Sequence, residues 1–358
     1  MRVSIVGTGY VGLVSGAGLA DVGHHVVCVD VDPDKVALIA SGVPPIHEDG
    51  LQEQLAMVVG TTLTVTTDLR AAVLGTDITL IAVGTPFDGQ HIDLTYVREA
   101  SRQIGEALAD KDGYHVVVVK STVVPGTTVD VVLPVLEQAS GKRAGADFGV
   151  GMNPEFLAEG VAVVDFTRPD RIVLGGIDDR SRAALAELFA PFAGATLVPT
   201  DPTTAEMIKY TANSLLATMI SFSNEIGNLC ASVGVDVVDA MAGVHLDKRL
   251  SPMQPDGSRV RPGFLSFLAA GCGFGGSCFP KDVKALIAFG RQHGHPMPLL
   301  DAVVATNQAQ PARVLDLLRA RVPELRGVAV AVLAVELMAE AEQLFAHKNA
   351  VTLRLKSL

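Results

Sequence analysis

The stretch Gly271-Cys272-Gly273-Phe274-Gly275-Gly276-Ser277-Cys278-Phe279-Pro280-Lys281-Asp282 carries the most pointed chemistry in this chain of 358 residues. A glycine-rich loop delivers Cys278 to the edge of a helix. Pro280 suits a first helical turn, and Val283 to Phe289 continue the helix. A helix N-terminus and a neighbouring Lys281 both favour a thiolate, so Cys278 is a candidate nucleophile. Asp282, four residues on, could reach back towards it. The competing readings are a buried inert thiol and a metal site. Cys272 and Cys278, with His293 and His295 beyond them, match no zinc spacing, so no metal is expected.

Other residues could share such chemistry. Glu155 and Glu159 lie in Asn153-Pro154-Glu155-Phe156-Leu157-Ala158-Glu159, after a strand end. Two carboxylates four apart there suit acid/base work or binding; they read equally as exposed glutamates near a helix start. Lys209 and Asn213 are four apart and share a helix face. A lysine on an otherwise apolar helix is also a common snorkelling side chain. Thr85 and Thr122 sit at strand ends, where ligands lie in a doubly wound sheet, or where turns use threonine.

These residues need a scaffold. Arg2 to Val6 is a short apolar strand running into Gly7-Thr8-Gly9-Tyr10-Val11-Gly12. Val14 to Val22 follows as a small-residue helix, and Val26 to Val29 as a strand ending at Asp30, 18 positions past Gly12. That context is the dinucleotide fingerprint. Gly7 allows the turn, Gly9 lets a pyrophosphate approach the helix N-terminus, and Gly12 permits close packing. Asp30 would accept from the adenosine ribose hydroxyls and repel a 2′-phosphate, so the expected cofactor is NAD.

Strands at Ile78–Val83, Val116–Lys120, Phe148–Gly151 and Arg171–Leu174 alternate with helices at Leu69–Leu74, Val97–Leu108 and Ala183–Phe192. The class is α/β, an N-terminal Rossmann-like doubly wound parallel sheet. Thr204 to Val233 is helical with few breakers. Ile208, Leu215, Met219, Phe222, Ile226 and Leu229 recur mostly at 3- and 4-residue steps. About 30 helical residues span roughly 45 Å, a spine fit to join domains or subunits. Cys28 and Cys230 read as core.

Composition narrows the class. Lys and Arg number 28 against 39 Asp and Glu, a net charge of −11, which argues against nonspecific binding to nucleic acid or anionic membranes. With 49% hydrophobic and 19% charged residues, disorder is excluded as the main state. No run of about 18 apolar residues suggests a membrane span, and MRVSIVGTG lacks the features of a signal peptide. Four cysteines fit a reduced cytosol, so the expected location is cytoplasmic. At about 150 residues per domain the length suggests two domains and part of a third.

With these residues in place, the chain resembles the UDP-glucose/GDP-mannose dehydrogenase family, from Met1 to about Val332. The marks are GTGYVG at 7–12, VGTP at 83–86, KSTVVPGT at 120–127, NPEFLAEG at 153–160, AEMIKYTANS at 205–214 and GFGGSCFPKD at 273–282. The resemblance implies oxidation of the C6 alcohol of a nucleotide sugar to a carboxylate, by two hydride transfers to NAD, feeding uronic acid into a polysaccharide or another glycan. It implies a NAD-binding domain over 1–200, an all-α central dimerisation domain over 201–310 with the spine helix and cysteine loop, and the start of a nucleotide-binding domain over 311–358. A homodimer through the 204–233 helix is the expected assembly.

By position, Cys278 matches the family's nucleophile, which traps the aldehyde as a thiohemiacetal and then carries a thioester. Thr122 and Asp282 match residues that hold the catalytic water. Glu155 matches the acid/base carboxylate, Lys209 the lysine that stabilises the oxyanion and Asn213 the amide that assists it. Glu155, Phe156, Leu157, Glu159, Lys209, Asn213, Arg261, Phe264 and Gly275 match substrate positions. Gly7, Gly9, Tyr10, Val11, Gly12, Asp30, Lys35, Thr85, Thr122, Glu159 and Lys281 match cofactor positions.

The pattern breaks near the C-terminus. Arg326 to Leu333 reads as the first strand of a second Rossmann-like domain. Ala334 to Glu340 then looks helical and His347 to Leu358 forms a short basic tail, without the family's Lys and Arg-x-Ser segment. About 100 further residues would complete such a domain, so a truncated UDP-binding domain is expected. Arg168-Pro169-Asp170-Arg171-Ile172-Val173 resembles the UDP-glucose branch. Ser140 to Gly151 and Arg261-Pro262-Gly263-Phe264 are similar to the GDP-mannose branch. A neighbouring subunit often supplies an arginine from this region, Arg259 or Arg261. UDP-glucose is the preferred substrate, with GDP-mannose or a UDP-N-acetyl sugar as alternatives. The reading from another class is a catalytically silent chain that binds NAD and dimerises. A dehydrogenase of small hydroxy acids would not need the cysteine loop.

Overall fold

The computed structural model describes residues 1–322 and residue 324. They form two compact units, Met1–Lys209 and a second beginning at Tyr210. The readings made above for Arg326 to Leu358 lie outside the described residues.

The first unit opens with β1 (Arg2–Val6), α1 (Tyr10–Asp21), β2 (His25–Val29), α2 (Pro33–Ala40), α3 (Leu51–Val58) and β3 (Leu63–Thr66). It continues with α4 (Leu69–Gly75), β4 (Ile78–Ile81), α5 (Thr95–Ala109), β5 (His115–Val119), a π-helical turn (Thr128–Val132) and α6 (Leu133–Ser140). Next come β6 (Phe148–Met152), α7 (Ala162–Thr167), β7 (Arg171–Gly176), α8 (Asp179–Leu188) and β8 (Thr196–Thr200), before α9 (Pro202–Val233). The eight strands make one sheet in the order β3-β2-β1-β4-β5-β6-β7-β8. Neighbouring strands run parallel except β6 and β7, which are antiparallel.

The central strands are apolar because helices cover both faces. Every residue of β4 and β5 is buried. The pleat sends alternate side chains to opposite layers: Val116 and Val118 join the core with Val3, Ile5 and Leu13, while Val117 and Val119 join the one with Ile104 and Leu136. The two strands absent from the expected set, β3 and β8, are the sheet's edges. Both carry threonines, and β8 contains Pro199, tolerated at an edge because no further strand needs its N–H. Helix α1 starts at Tyr10 rather than Val14, directly on the glycine turn. Strand β4 stops at Ile81 and β5 at Val119, so Val83 and Lys120 fall in the loops beyond.

The second unit contains the greater part of α9, α10 (Val237–His245), a 3₁₀ turn (Gly263–Phe267), α11 (Phe279–Gln292) and α12 (Pro298–Arg321). Among its described residues there are helices and one isolated bridge, Met253 with Arg259, and no strand. Helix α9 has 32 residues. Its buried face here is small and polar, with Ala217, Ser221, Ser223 and Asn224. The apolar positions Leu215, Phe222 and Leu229, spaced seven apart, are exposed. Among the described residues, no helix is long and apolar enough to cross a membrane.

Candidate active site

The β1–α1 turn shows why three glycines stand where they do. Gly7 has φ 100°, and a Cβ there would lie 2.7 Å from the Ala82 carbonyl oxygen. A Cβ on Gly12 would lie 1.9 Å from the Gly7 carbonyl oxygen. Gly9 is different: nothing lies within 4 Å of the position its Cβ would take. Its backbone faces open space at the start of α1, whose first turn holds no acidic side chain. That cradle fits a pyrophosphate against helix N–H groups, so the residues present suit a dinucleotide.

Asp30 follows β2. Its Oδ2 accepts from the Thr8 N–H at 3.0 Å and the Thr8 hydroxyl at 2.6 Å, and its Oδ1 from the Asp32 N–H at 3.1 Å. Burial alone would raise its pKa. The Thr8 and Asp32 donors and Lys35, 4.0 Å away, outweigh burial and hold the carboxyl below its usual range. A carboxylate kept ionised at this position can take ribose hydroxyls. Tyr10 donates to Glu48 Oε2 at 2.6 Å, and Glu48 also accepts from the N–H groups of Gly160 and Ala162 at 2.9 and 2.7 Å. Glu48 thus ties α1, beside Val11, to the segment holding Glu159. Sequence reasoning missed it, since a glutamate in a polar loop gives no signal of burial. Glu159 itself is exposed.

Beyond β4 and β5, the Thr85 hydroxyl donates to the Thr122 carbonyl at 2.8 Å, so these two expected residues meet. Past β6 lies a buried charged cluster. Glu155 Oε1 is 2.8 Å from Lys209 Nζ, and Glu155 Oε2 accepts from the Leu157 N–H at 2.7 Å. Burial pushes the Glu155 carboxyl up, but Lys209 and the hydrogen bonds bring it below its usual range. Phe156 packs beside the pair, with Lys209 Nζ 5.5 Å from its ring centre and the Arg171 guanidinium 3.8 Å away. Glu155 is therefore a buried, engaged group rather than an exposed one, and Lys209 does not snorkel.

A second lysine belongs to this cluster. Lys120 is buried just beyond β5 and donates to Asn153 Oδ1 at 2.8 Å. Burial lowers its pKa to about 8, with Glu155 opposing and Lys209 reinforcing the shift. Glu206, a turn before Lys209, accepts from the Gly126 and Thr128 N–H groups at 2.6 and 2.8 Å and from the Thr128 hydroxyl at 2.6 Å. Sequence reasoning gave neither residue a role. The only signal was that Lys120 opens the KSTVVPGT motif and that Glu206 sits in AEMIKYTANS.

In the second unit Cys278 is the N-cap of α11, with Pro280 in the first turn. Asp282, almost wholly buried, accepts from Asn213 Nδ2 at 2.7 Å through Oδ2 and pairs with Lys281 Nζ at 2.6 Å through Oδ1. The Asp282 carboxylate is thus held between Asn213 and Lys281. The Asp282 N–H also donates to the Cys278 carbonyl at 2.8 Å. The Lys281–Asp282 pair is a charge-assisted hydrogen bond at the start of α11. Gly275 lies in the loop before Cys278. Arg261 is exposed ahead of the 3₁₀ turn, and Phe264 lies within it.

Comparison with known proteins agrees with this division of labour. Residues 1–193 match the NAD binding domain of the UDP-glucose/GDP-mannose dehydrogenase family, and residues 203–309 match that family's central domain. A UDP-glucose 6-dehydrogenase of Haloferax volcanii is 47% identical over 338 residues, covering 93% of this chain and 75% of that protein. A GDP-mannose 6-dehydrogenase of Azotobacter vinelandii is 43% identical, covering 89% of this chain and 71% of that protein. The structure of a UDP-glucose dehydrogenase from Pyrobaculum islandicum superposes with a TM-score of 0.90 at 38% identity, covering 99% of this chain and 81% of that one. A dinucleotide cradle on a doubly wound sheet, followed by an α-helical unit with a cysteine at a helix start, and two matched domains in that order, make this chain a NAD-dependent oxidoreductase of the UDP-glucose/GDP-mannose dehydrogenase family.

Proposed function

We propose that the chain oxidises the C6 alcohol of UDP-glucose to the carboxylate of UDP-glucuronate. The observation that carries the reading is the buried Glu155–Lys209 pair at 2.8 Å, in an enzyme that also presents Cys278 at a helix start. Bound NAD supplies the hydride acceptor for both oxidations. The protein's own work is to move protons, stabilise charge and retain the aldehyde. Glu155 serves the proton transfers. Lys209 stabilises negative charge developing on the C6 oxygen, with Asn213 assisting. The Cys278 sulfur adds to the aldehyde carbon, the carbonyl oxygen takes a proton, and a thiohemiacetal results. Its oxidation leaves a thioester. Water adds to that carbon, the step to which the resemblance assigns Thr122 and Asp282; the C–S bond breaks, returning the thiol and the carboxylate.

In this account Gly9, Tyr10, Val11, Asp30, Lys35, Thr85, Glu159 and Lys281 serve the cofactor. Phe156, Leu157, Arg261, Phe264 and Gly275 serve the sugar nucleotide. The exposed heptad ridge Leu215, Phe222 and Leu229 on α9 supports a homodimer through that helix. Buried Cys28 and Cys230, which form no disulfide, suit a reducing cytoplasm.

The test is NADH formation by the purified chain with UDP-glucose, GDP-mannose and a UDP-N-acetyl sugar in parallel. UDP-glucose is expected to give the highest kcat/KM. Preference for GDP-mannose would overturn the sugar assignment. No NADH with any donor, while NAD still binds, would support the silent-chain reading.

A further inference from the structure

The glycine-rich loop before Cys278 is held by amide side chains from two helices of the second unit. Asn307 of α12 bonds Phe274 in both directions: its Oδ1 accepts from the Phe274 N–H and its Nδ2 donates to the Phe274 carbonyl, each at 2.8 Å. Gln310 Nε2 donates to the Gly271 carbonyl at 2.7 Å, and Asn224 Oδ1 of α9 accepts from the Gly271 N–H at 2.7 Å. Asn228 Nδ2 in turn donates to Gln310 Oε1 at 3.1 Å. Both polar groups of Gly271 and both of Phe274 are thereby fixed.

The loop is shaped to this grip. Gly273 has φ 99°, and a Cβ on it would lie 2.5 Å from Asn307 Oδ1. The Phe274 ring packs edge-on against Phe279, the first residue of α11, with centres 6.0 Å apart. Phe279 follows Cys278 directly. The chain of contacts runs from the amides, through Phe274, to the helix start that presents the sulfur. A glycine-rich loop loses much conformational entropy when fixed, so it needs such anchors. An amide carries its donor and its acceptor on separate atoms of one short, uncharged side chain, so it can bond the N–H and the carbonyl of one residue together.

We infer that Asn307, with Gln310 and Asn224, is a positioning residue for Cys278: the amide clamp sets where the sulfur stands and so governs the second oxidation more than the first. The inference rests on the reading of Cys278 as the nucleophile. Misplacement of a reacting atom by about 1 Å can lower a rate on the order of 100-fold.

The test uses Asn307→Asp, which keeps the acceptor and the volume but sets a carboxylate against the Phe274 carbonyl. Three quantities are read: aldehyde released per sugar (trapped with hydroxylamine), KM for NAD, and the rate of Cys278 alkylation by iodoacetamide in a Cys272→Ser background. The clamp predicts aldehyde escape, an unchanged KM for NAD and at least a roughly tenfold fall in the rate of the second oxidation, with an altered alkylation rate. Unchanged alkylation and no aldehyde release, whatever the loss of thermal stability, would overturn it. Gln310→Glu serves in the same way if Asn307→Asp does not fold. Alkylation needs no turnover, so it decides the clamp even in a chain that oxidises no sugar. Complete oxidation by Cys278→Ser would instead overturn the nucleophile reading.

Discussion

Glu155 Oε1 lies 2.8 Å from Lys209 Nζ, and both side chains are about 95% shielded from solvent (4% and 5% exposed). Removing one member of a buried pair strands the other charge, which costs about 3–5 kcal/mol. Lys209→Met is expected to destabilise the protein by that order in denaturant unfolding and to abolish NADH formation. Stability equal to the parent would show that the pair is not dry.

Lys120 should tune this pair. Its positive charge helps to lower the Glu155 pKa, so its removal lets that pKa rise. In Lys120→Met the acid limb of the kcat/KM profile is expected to move to higher pH. An unmoved limb would mean that Glu155 is not the group titrating there.

The glycines of the cofactor turn should separate binding from folding. A Cβ at Gly9 meets nothing within 4 Å, while one at Gly12 lies 1.9 Å from the Gly7 carbonyl oxygen. Gly9→Val should therefore fold with a near-parental melting temperature and bind NAD weakly. Gly12→Val should fail to fold stably. Calorimetric melting with NAD titration distinguishes them; tight NAD binding by Gly9→Val would contradict the placing of the pyrophosphate.

His115 gives the fold a pH dependence. It opens β5 and is fully buried, its Nδ1 donating to the Thr76 carbonyl at 3.1 Å and its Nε2 facing the Thr79 hydroxyl at 2.7 Å. Burial, aided by Lys111, lowers its pKa from 6.5 to about 3. Below pH 6.5 the unfolded chain takes up a proton that the folded chain refuses. Stability should fall as the pH drops from 6.5 towards 3, by at most about 1.4 kcal/mol per pH unit from this group. His115→Gln should flatten that slope in urea titrations; an equally steep slope would place the effect on Asp30 and Asp77, whose lowered values act in the same direction.

The cofactor half was legible because its signals are local: a strand, a glycine turn and Asp30 lie within one stretch of sequence. The Cys278 loop was legible for the same reason. The edge strands β3 and β8 were not, because edges carry polar residues and proline rather than long apolar runs. Leu215, Phe222 and Leu229 showed a helix but not which face is covered, since periodicity cannot tell core from an exposed ridge. Glu48, Lys120 and Glu206 escaped because burial of a charged side chain depends on partners distant in sequence: Gly160 and Ala162, Asn153, and Gly126 and Thr128.

Counting NADH formed per UDP-glucose consumed decides whether one chain carries out both proposed oxidations without releasing the aldehyde. Two NADH for each sugar are expected, with UDP-glucuronate as product. One NADH per sugar, with a free 6-aldehyde accumulating, would contradict it.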